Sequence, residues 1–235
     1  MNAALLVFPG SNCDRDARVA LTRACGHPPR DIWHTECSIP NDIDFILVPG
    51  GFTHGDYLRP GAMAARAPVT RALVAHAARG TAILGICNGF QILTECGLLP
   101  GALIRNTGIK FVARDVHLKV ERTDTMFTRA YRESAIIRMP VAHMDGNYFA
   151  DNRTLSKLND DGRIAFRYTS DPHAADWVTS AILANPNGSI DDIAGIYNEQ
   201  MNVLGLMPHP ERACERITGS TDGAHLFTSL IEHLS

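Results

Sequence analysis

The chain has 235 residues, 45% of them hydrophobic and 20% charged, with a formal net charge of −3 at neutral pH. That length can bury a full core, and one domain over residues 1–235 is expected; the weak net charge, with no run of Lys or Arg, leaves no footprint for nucleic acid. Nothing approaches the roughly 18 apolar residues that span a bilayer, and the apolar start Met1–Phe8 is too short for an export signal, so a cytoplasmic protein off the membrane is expected.

Ala4–Phe8 reads as a buried strand that ends at Pro9-Gly10. A helix over Cys13–Cys25 follows, stopped by Gly26 and Pro28-Pro29. Asp31–Thr35 and Phe45–Val48 read as the second and third strands, the latter running into Pro49-Gly50-Gly51. Ala62–Ala78 has a helical pattern with Gly80 as its stop. Thr81–Ile86 is a fourth strand, and Asn88–Cys96 a helix closed by Gly97. Apolar strands separated by helices indicate a parallel sheet covered on both faces. Later, Phe111–Val120, Ser134–Val141, Arg163–Tyr168, Ala194–Tyr197 and Val203–Met207 look like antiparallel strands, and an amphipathic helix over Asp222–Leu234 closes the chain. The expected fold is α/β with a mixed, mostly parallel central sheet and helices on both faces.

The six cysteines, Cys13, Cys25, Cys37, Cys87, Cys96 and Cys214, show no C-x-x-C pair and no Cys/His cluster at zinc spacing. Neither disulfides nor a metal site are expected, and at most one thiol is expected to do chemistry.

That thiol is Cys87. In Gly85-Ile86-Cys87-Asn88-Gly89 a buried strand meets a helix through a tight turn, the context of a nucleophile elbow with Cys in the place of Ser. Glycines two residues to either side remove Cβ atoms that would clash in such a turn. The helix N-terminus favours a thiolate and offers N–H groups to an oxyanion. A small buried residue between strand and helix would give the same pattern, so further signals are needed. One is Val48-Pro49-Gly50-Gly51, a second glycine turn at a strand's C-terminal end, where open α/β sheets bind ligands. The N–H groups of Gly51 and Asn88 could converge there on one oxygen. The other is Met207-Pro208-His209-Pro210-Glu211. Proline at 210 favours an extended His209, and in extended chain residues i and i+2 share a face, so Glu211 can orient the imidazole and stabilise its charged form. His143, in His143-Met144-Asp145-Gly146, sits in a comparable turn but reads as a surface loop histidine.

At these residues the chain resembles class I, triad-type glutamine amidotransferases, which have a flavodoxin-like fold. Phe8–Asp16, Gly50-Gly51-Phe52 with Gly55–Arg59, Gly85–Gln91, Asn106 with Phe111, and Pro208–Glu211 resemble more narrowly the glutaminase subunits of phosphoribosylformylglycinamidine synthases, over nearly the whole chain. The resemblance implies a glutaminase that hydrolyses glutamine to glutamate and ammonia through Cys87, His209 and Glu211. Gly51 and Asn88 would form the oxyanion hole, and Gly50 and Gln91 would hold the substrate. The ammonia would pass to a large synthetase subunit, in complex with a small bridging subunit, for an early step of purine synthesis. ATP and magnesium would be bound by that synthetase, with no cofactor in this chain. Two places depart from the family pattern: His143-Met144-Asp145-Gly146 replaces a His-Gly-Glu-Gly type turn, and Thr53-His54 a serine-tyrosine pair. A glutaminase serving another synthetase, or a non-catalytic DJ-1-like protein with a cysteine elbow, are the alternatives.

Overall fold

A computed structural model describes residues 1–176, 178–179 and 183–234. The first half alternates strands and helices in the expected order. These are β1 (Ala3–Val7), α1 (Asp14–Cys25), β2 (Arg30–Trp33), β3 (Phe45–Val48), α2 (Pro68–Ala78), β4 (Ala82–Ile86) and α3 (Asn88–Glu95). There follow β5 (Ala102–Ile104), β6 (Val112–Val120), β7 (Ile136–His143), β8 (Asn147–Phe149), α4 (Asn152–Asp160), β9 (Ile164–Thr169), β10 (Ile193–Tyr197), β11 (Val203–Leu206) and a final helix α5 (Ala224–Leu234).

Nine strands form one sheet in the order β2-β1-β3-β4-β11-β10-β9-β6-β7, and β5 pairs with β8 in a separate ribbon. Every residue of β3, β4 and β11 is buried, as their unbroken apolar sequences require of strands covered on both faces. The crossovers β1–α1–β2 and β3–α2–β4 step in opposite directions along the sheet, so right-handed connections put α1 and α2 on opposite faces. α5 packs against α1, whereas α2, α4 and the turn after α3 line a common cleft.

Three expectations are corrected. Val203–Met207 is not simply antiparallel: β11 is antiparallel to β10 but parallel to β4, with Gly205 opposite Gly85. It is the seam between the parallel and antiparallel halves. The helix expected over Ala62–Ala78 is broken at Ala67, whose ψ of 149° is extended. Pro68 disfavours helical geometry in its predecessor and then serves as the first helical residue, leaving only a 3-10 turn at Ala64–Arg66 before it. Finally, β5, β8 and α4 were not anticipated. α4 does carry a start signal, Asp151, whose side chain accepts a 2.8 Å hydrogen bond from the Thr154 N–H.

No helix among the described residues is long and apolar enough to cross a membrane.

Candidate active site

Three glycines let α3 lie almost on the sheet. A Cβ on Gly89 would stand 2.0 Å from the carbonyl oxygen of Val48, and one on Gly85 would be 2.4 Å from Leu93 Cδ1. A Cβ on Gly205 would be 2.2 Å from Phe90 Cδ2. The glycines flanking the elbow are thus needed for close approach, as the sequence indicated. The unusual backbone belongs to Cys87 itself, at φ 51° and ψ −106°. A non-glycine residue in such a region costs of order 1–3 kcal/mol and persists only when its surroundings enforce it. Here the Cys87 N–H donates to Leu206 O at 2.8 Å, and its carbonyl accepts from Gln91 N at 3.2 Å. The result is a thiol at the start of α3, 5% exposed, with its sulfur 3.7 Å from Ala142 O.

The turn after β3 faces this thiol. A Cβ on Gly50 would lie 2.8 Å from His209 Cε1, 3.1 Å from Cys13 Sγ and 3.4 Å from Cys87 Cβ. Gly50 therefore occupies the point where the three side chains meet, and any larger residue would separate them. Gly51, at φ 151°, is held against Gly10–Asn12, and Phe52 N–H and Cys13 N–H donate to Gly10 O and Gly50 O. The side chain of Asn88 accepts from Thr53 N–H at 3.1 Å and donates to Gln91 Oε1 at 2.7 Å. Gln91 Nε2 donates in turn to Asp145 O at 2.7 Å. Asn88 and Gln91 thus tie the glycine turn, the elbow helix and the 143–146 turn into one frame.

His209 and Glu211 meet as expected, by a different local geometry. Pro210–Arg212 is a 3-10 turn with His209 at its start, not an extended run. Three residues per turn swing Glu211 back under the ring, and Glu211 Oε1 lies 2.6 Å from His209 Nδ1. The His209 N–H donates to Pro140 O at 2.8 Å, which fixes the turn to β7. Burial opposes charge on this imidazole, but the Glu211 carboxylate and the Cys87 sulfur outweigh it and raise its pKa well above the usual histidine value. Nε2, turned away from Glu211, makes no hydrogen bond, nor does Glu211 Oε2.

His143 is not on the surface. It is 2% exposed, and burial first, then the neighbouring His209, pushes its pKa down to about 4, which keeps it neutral. Its ring packs over Gly146. Asn187 Nδ2 lies 3.4 Å from its Nε2 and donates to Gly146 O at 2.8 Å, so Asn187 braces this turn. At the mouth, burial and the nearby Asp145 carboxylate raise Asp56 to about 6, while Arg105 pairs with Asp145 at 2.8 Å.

Sequence reading missed Cys13, a second thiol beside His209. It is 3% exposed, it accepts from Arg212 Nη2 at 3.1 Å, and Arg212 Nε donates to Asp16 at 2.9 Å. Asn187 was also missed. Cys13 lies in the Phe8–Asp16 motif with nothing there to single it out, and Asn187 carries no local motif; each becomes part of the site only through long-range packing.

Residues 1–226 match the CobB/CobQ-like glutamine amidotransferase domain. The chain is 54% identical over 234 residues to phosphoribosylformylglycinamidine synthase subunit PurQ of Bradyrhizobium diazoefficiens, covering 100% of this chain and 98% of that one. It is 53% identical over 232 residues to the PurQ subunit of Zymomonas mobilis, covering 99% of each. Among solved structures, a chain of PurLQS from Thermotoga maritima superposes with a TM-score of 0.86 at 43% identity, covering 100% of this chain and 99% of that one.

Proposed function

The chain belongs to the family of CobB/CobQ-like glutamine amidotransferase domains, and from that premise we propose that it works as a glutaminase with Cys87, His209 and Glu211 as its catalytic residues. It is the glutaminase subunit of a phosphoribosylformylglycinamidine synthase, an enzyme of purine biosynthesis. Its partners are the large synthetase subunit and the small subunit of that complex. The observation that carries the catalytic reading is the 2.6 Å contact between His209 Nδ1 and Glu211. It leaves Nε2 turned toward the strained elbow across the gap that Gly50 keeps clear.

In this reading the Cys87 sulfur attacks the side-chain amide carbon of glutamine. The N–H groups of Gly51 and Asn88 donate to the resulting oxyanion, where preorganised dipoles have their largest effect. Imidazolium at His209 then gives its proton to the departing nitrogen, ammonia leaves, and a Cys87 thioester remains. His209, now neutral, takes a proton from water; hydroxide adds to the thioester and glutamate is released with the thiol restored. Gln91, already turned by Asn88 and Asp145, lies one helical turn from Cys87, about 6 Å along α3. That spacing suits the amino-acid end of a glutamine whose amide is at the sulfur, and Gly50 walls the same space.

The hydrolysis needs no nucleotide or metal in this chain. ATP and magnesium are assigned to the synthetase, and the location is taken as cytoplasmic. The His209–Glu211 pair argues against a DJ-1-like role without catalysis, and the full-length PurQ likeness argues against another synthetase. The test is glutamate release by the chain with and without its synthetase. Weak activity alone and strong activation by the partner are expected; equal, high activity in both states would contradict the coupling.

A further inference from the structure

The Phe8–Asp16 motif has no part in the proposed hydrolysis, yet it reaches the catalytic residues through Cys13. Cys13 is 3% exposed, and its N–H donates to Gly50 O at 3.3 Å. Its sulfur and His209 Cε1 lie 3.1 and 2.8 Å from the point a Gly50 Cβ would take, and the sulfur is within 4.8 Å of a ring nitrogen of His209. The thiol is also fixed in orientation. It donates to Asn12 Oδ1 at 3.1 Å and accepts from Arg212 Nη2 at 3.1 Å. Arg212 Nε donates to Asp16 at 2.9 Å, and the Arg212 N–H donates to His209 O at 3.2 Å. A closed circuit thus runs from the His209 backbone through Arg212 and Cys13 back to the imidazole. We propose that Cys13 is a positioning residue for His209, holding the imidazole in place while the Cys87 thioester is hydrolysed.

The need for it comes from what the reaction does to the other sulfur. Glu211 grips the ring at Nδ1 alone, and one such contact leaves the ring able to tilt about it. Gly50 has no side chain to stop that movement, and Cys13 borders the same gap. Before acylation the Cys87 sulfur also favours charge on the imidazole. In the thioester that sulfur is bound to carbon and carries no charge. The Cys13 sulfur is not consumed. With its proton directed to Asn12, its lone pairs remain for the donors around it. It therefore stays beside His209 as the ring takes a proton from water and becomes charged, where a fixed dipole acts without reorganising. The other charged or titratable neighbours do not substitute for it. Glu211 is already engaged at Nδ1, burial keeps His143 neutral, and Arg212 is a cation paired with Asp16.

This role rests on the proposed catalysis by Cys87 and His209, and the experiment separates the two. The full-length chain, assembled with the synthetase and small subunit, is pulsed with labelled glutamine, chased with unlabelled glutamine and quenched in acid. Peptide mapping then locates the labelled adduct. In Cys13→Ala the adduct on Cys87 is expected to decay roughly tenfold more slowly than in wild type. kcat and KM for glutamine should fall together, so that kcat/KM, which reports acylation, stays close to wild type. Loss of packing alone would not produce that split. Cys13→Ser, whose hydroxyl can serve Asn12 and Arg212 alike, is expected to restore most of the decay rate. Arg212→Gln keeps the thiol but loosens it; it is expected to slow decay in the same sense by less, and it carries the test should the alanine variant not assemble. Decay at the wild-type rate in Cys13→Ala, or no recovery in Cys13→Ser, would overturn the role of Cys13 and leave the triad. A labelled adduct on any residue other than Cys87 would overturn the catalytic reading, and the role of Cys13 with it.

Discussion

Cys87 and His209 face each other across Gly50 but are held in place by different means. Cys87 is set by main chain. Its strained φ of 51° is enforced by hydrogen bonds to Leu206 and Gln91, and α3 is seated on three glycines that tolerate no Cβ. The backbone of His209 is set by its N–H donating to Pro140 O and its carbonyl accepting from Arg212 N–H, and its ring by the carboxylate of Glu211. The position of the proposed nucleophile is therefore inseparable from the fold, whereas the orientation and charge of the proposed base depend chiefly on one side chain that can be changed with little effect on the scaffold.

Glu211→Gln isolates that difference most sharply. It keeps the shape but removes the charge that holds His209 protonated, and kcat is expected to fall on the order of 10²–10⁴-fold. The KM for glutamine and the melting temperature should stay close to wild type; steady-state kinetics with a thermal melt checks both. Gly89→Ala is the reverse case. A methyl 2.0 Å from the Val48 carbonyl must push α3 off the sheet, with an expected loss of about 3 kcal/mol in denaturant unfolding and activity lost along with it. Asn88→Ala leaves the Thr53 N–H and the Gln91 amide without their partner, which costs about 1–2 kcal/mol. Because Gln91 is then free to turn, kcat/KM is expected to fall roughly tenfold, mostly through KM.

The smallest effect is one of pH. The carboxyl of Asp56 sits at about 6 in the fold against an ordinary value of 3.8, so the fold favours its protonated form. That contribution is fully present below the ordinary value and is lost as pH rises through about 6. Asp56→Asn, neutral throughout, should match wild type at pH 4 and exceed it at pH 8. The half-buried group is screened by solvent, which limits the gain to about 1 kcal/mol, visible as a shift in denaturation midpoint.

The same contrast explains what could be read from sequence. Gly85 and Gly89 around Cys87 were legible because close approach of a helix to a strand leaves a fixed local spacing. The proline frame of His209 also marked the proposed base, although the segment turns as a 3-10 helix where an extended run was expected. Pro68 carried the break in the 62–78 helix, but the alanine-rich pattern on both sides outweighed it. The parallel pairing of β11 with β4 had no local signal, since its partner strand lies more than a hundred residues earlier. His143 was misjudged for the same reason. A loop residue next to a polar turn reads as exposed until long-range packing buries it.

The central claim is that this chain supplies ammonia through Cys87 and that synthesis lies with its partner. Cys87→Ser, assembled with the synthetase and small subunit, is expected to abolish glutamine-dependent synthesis while leaving synthesis from added ammonia intact. Loss of both activities in a complex that still assembles, or retention of the glutamine-dependent one, would contradict the account.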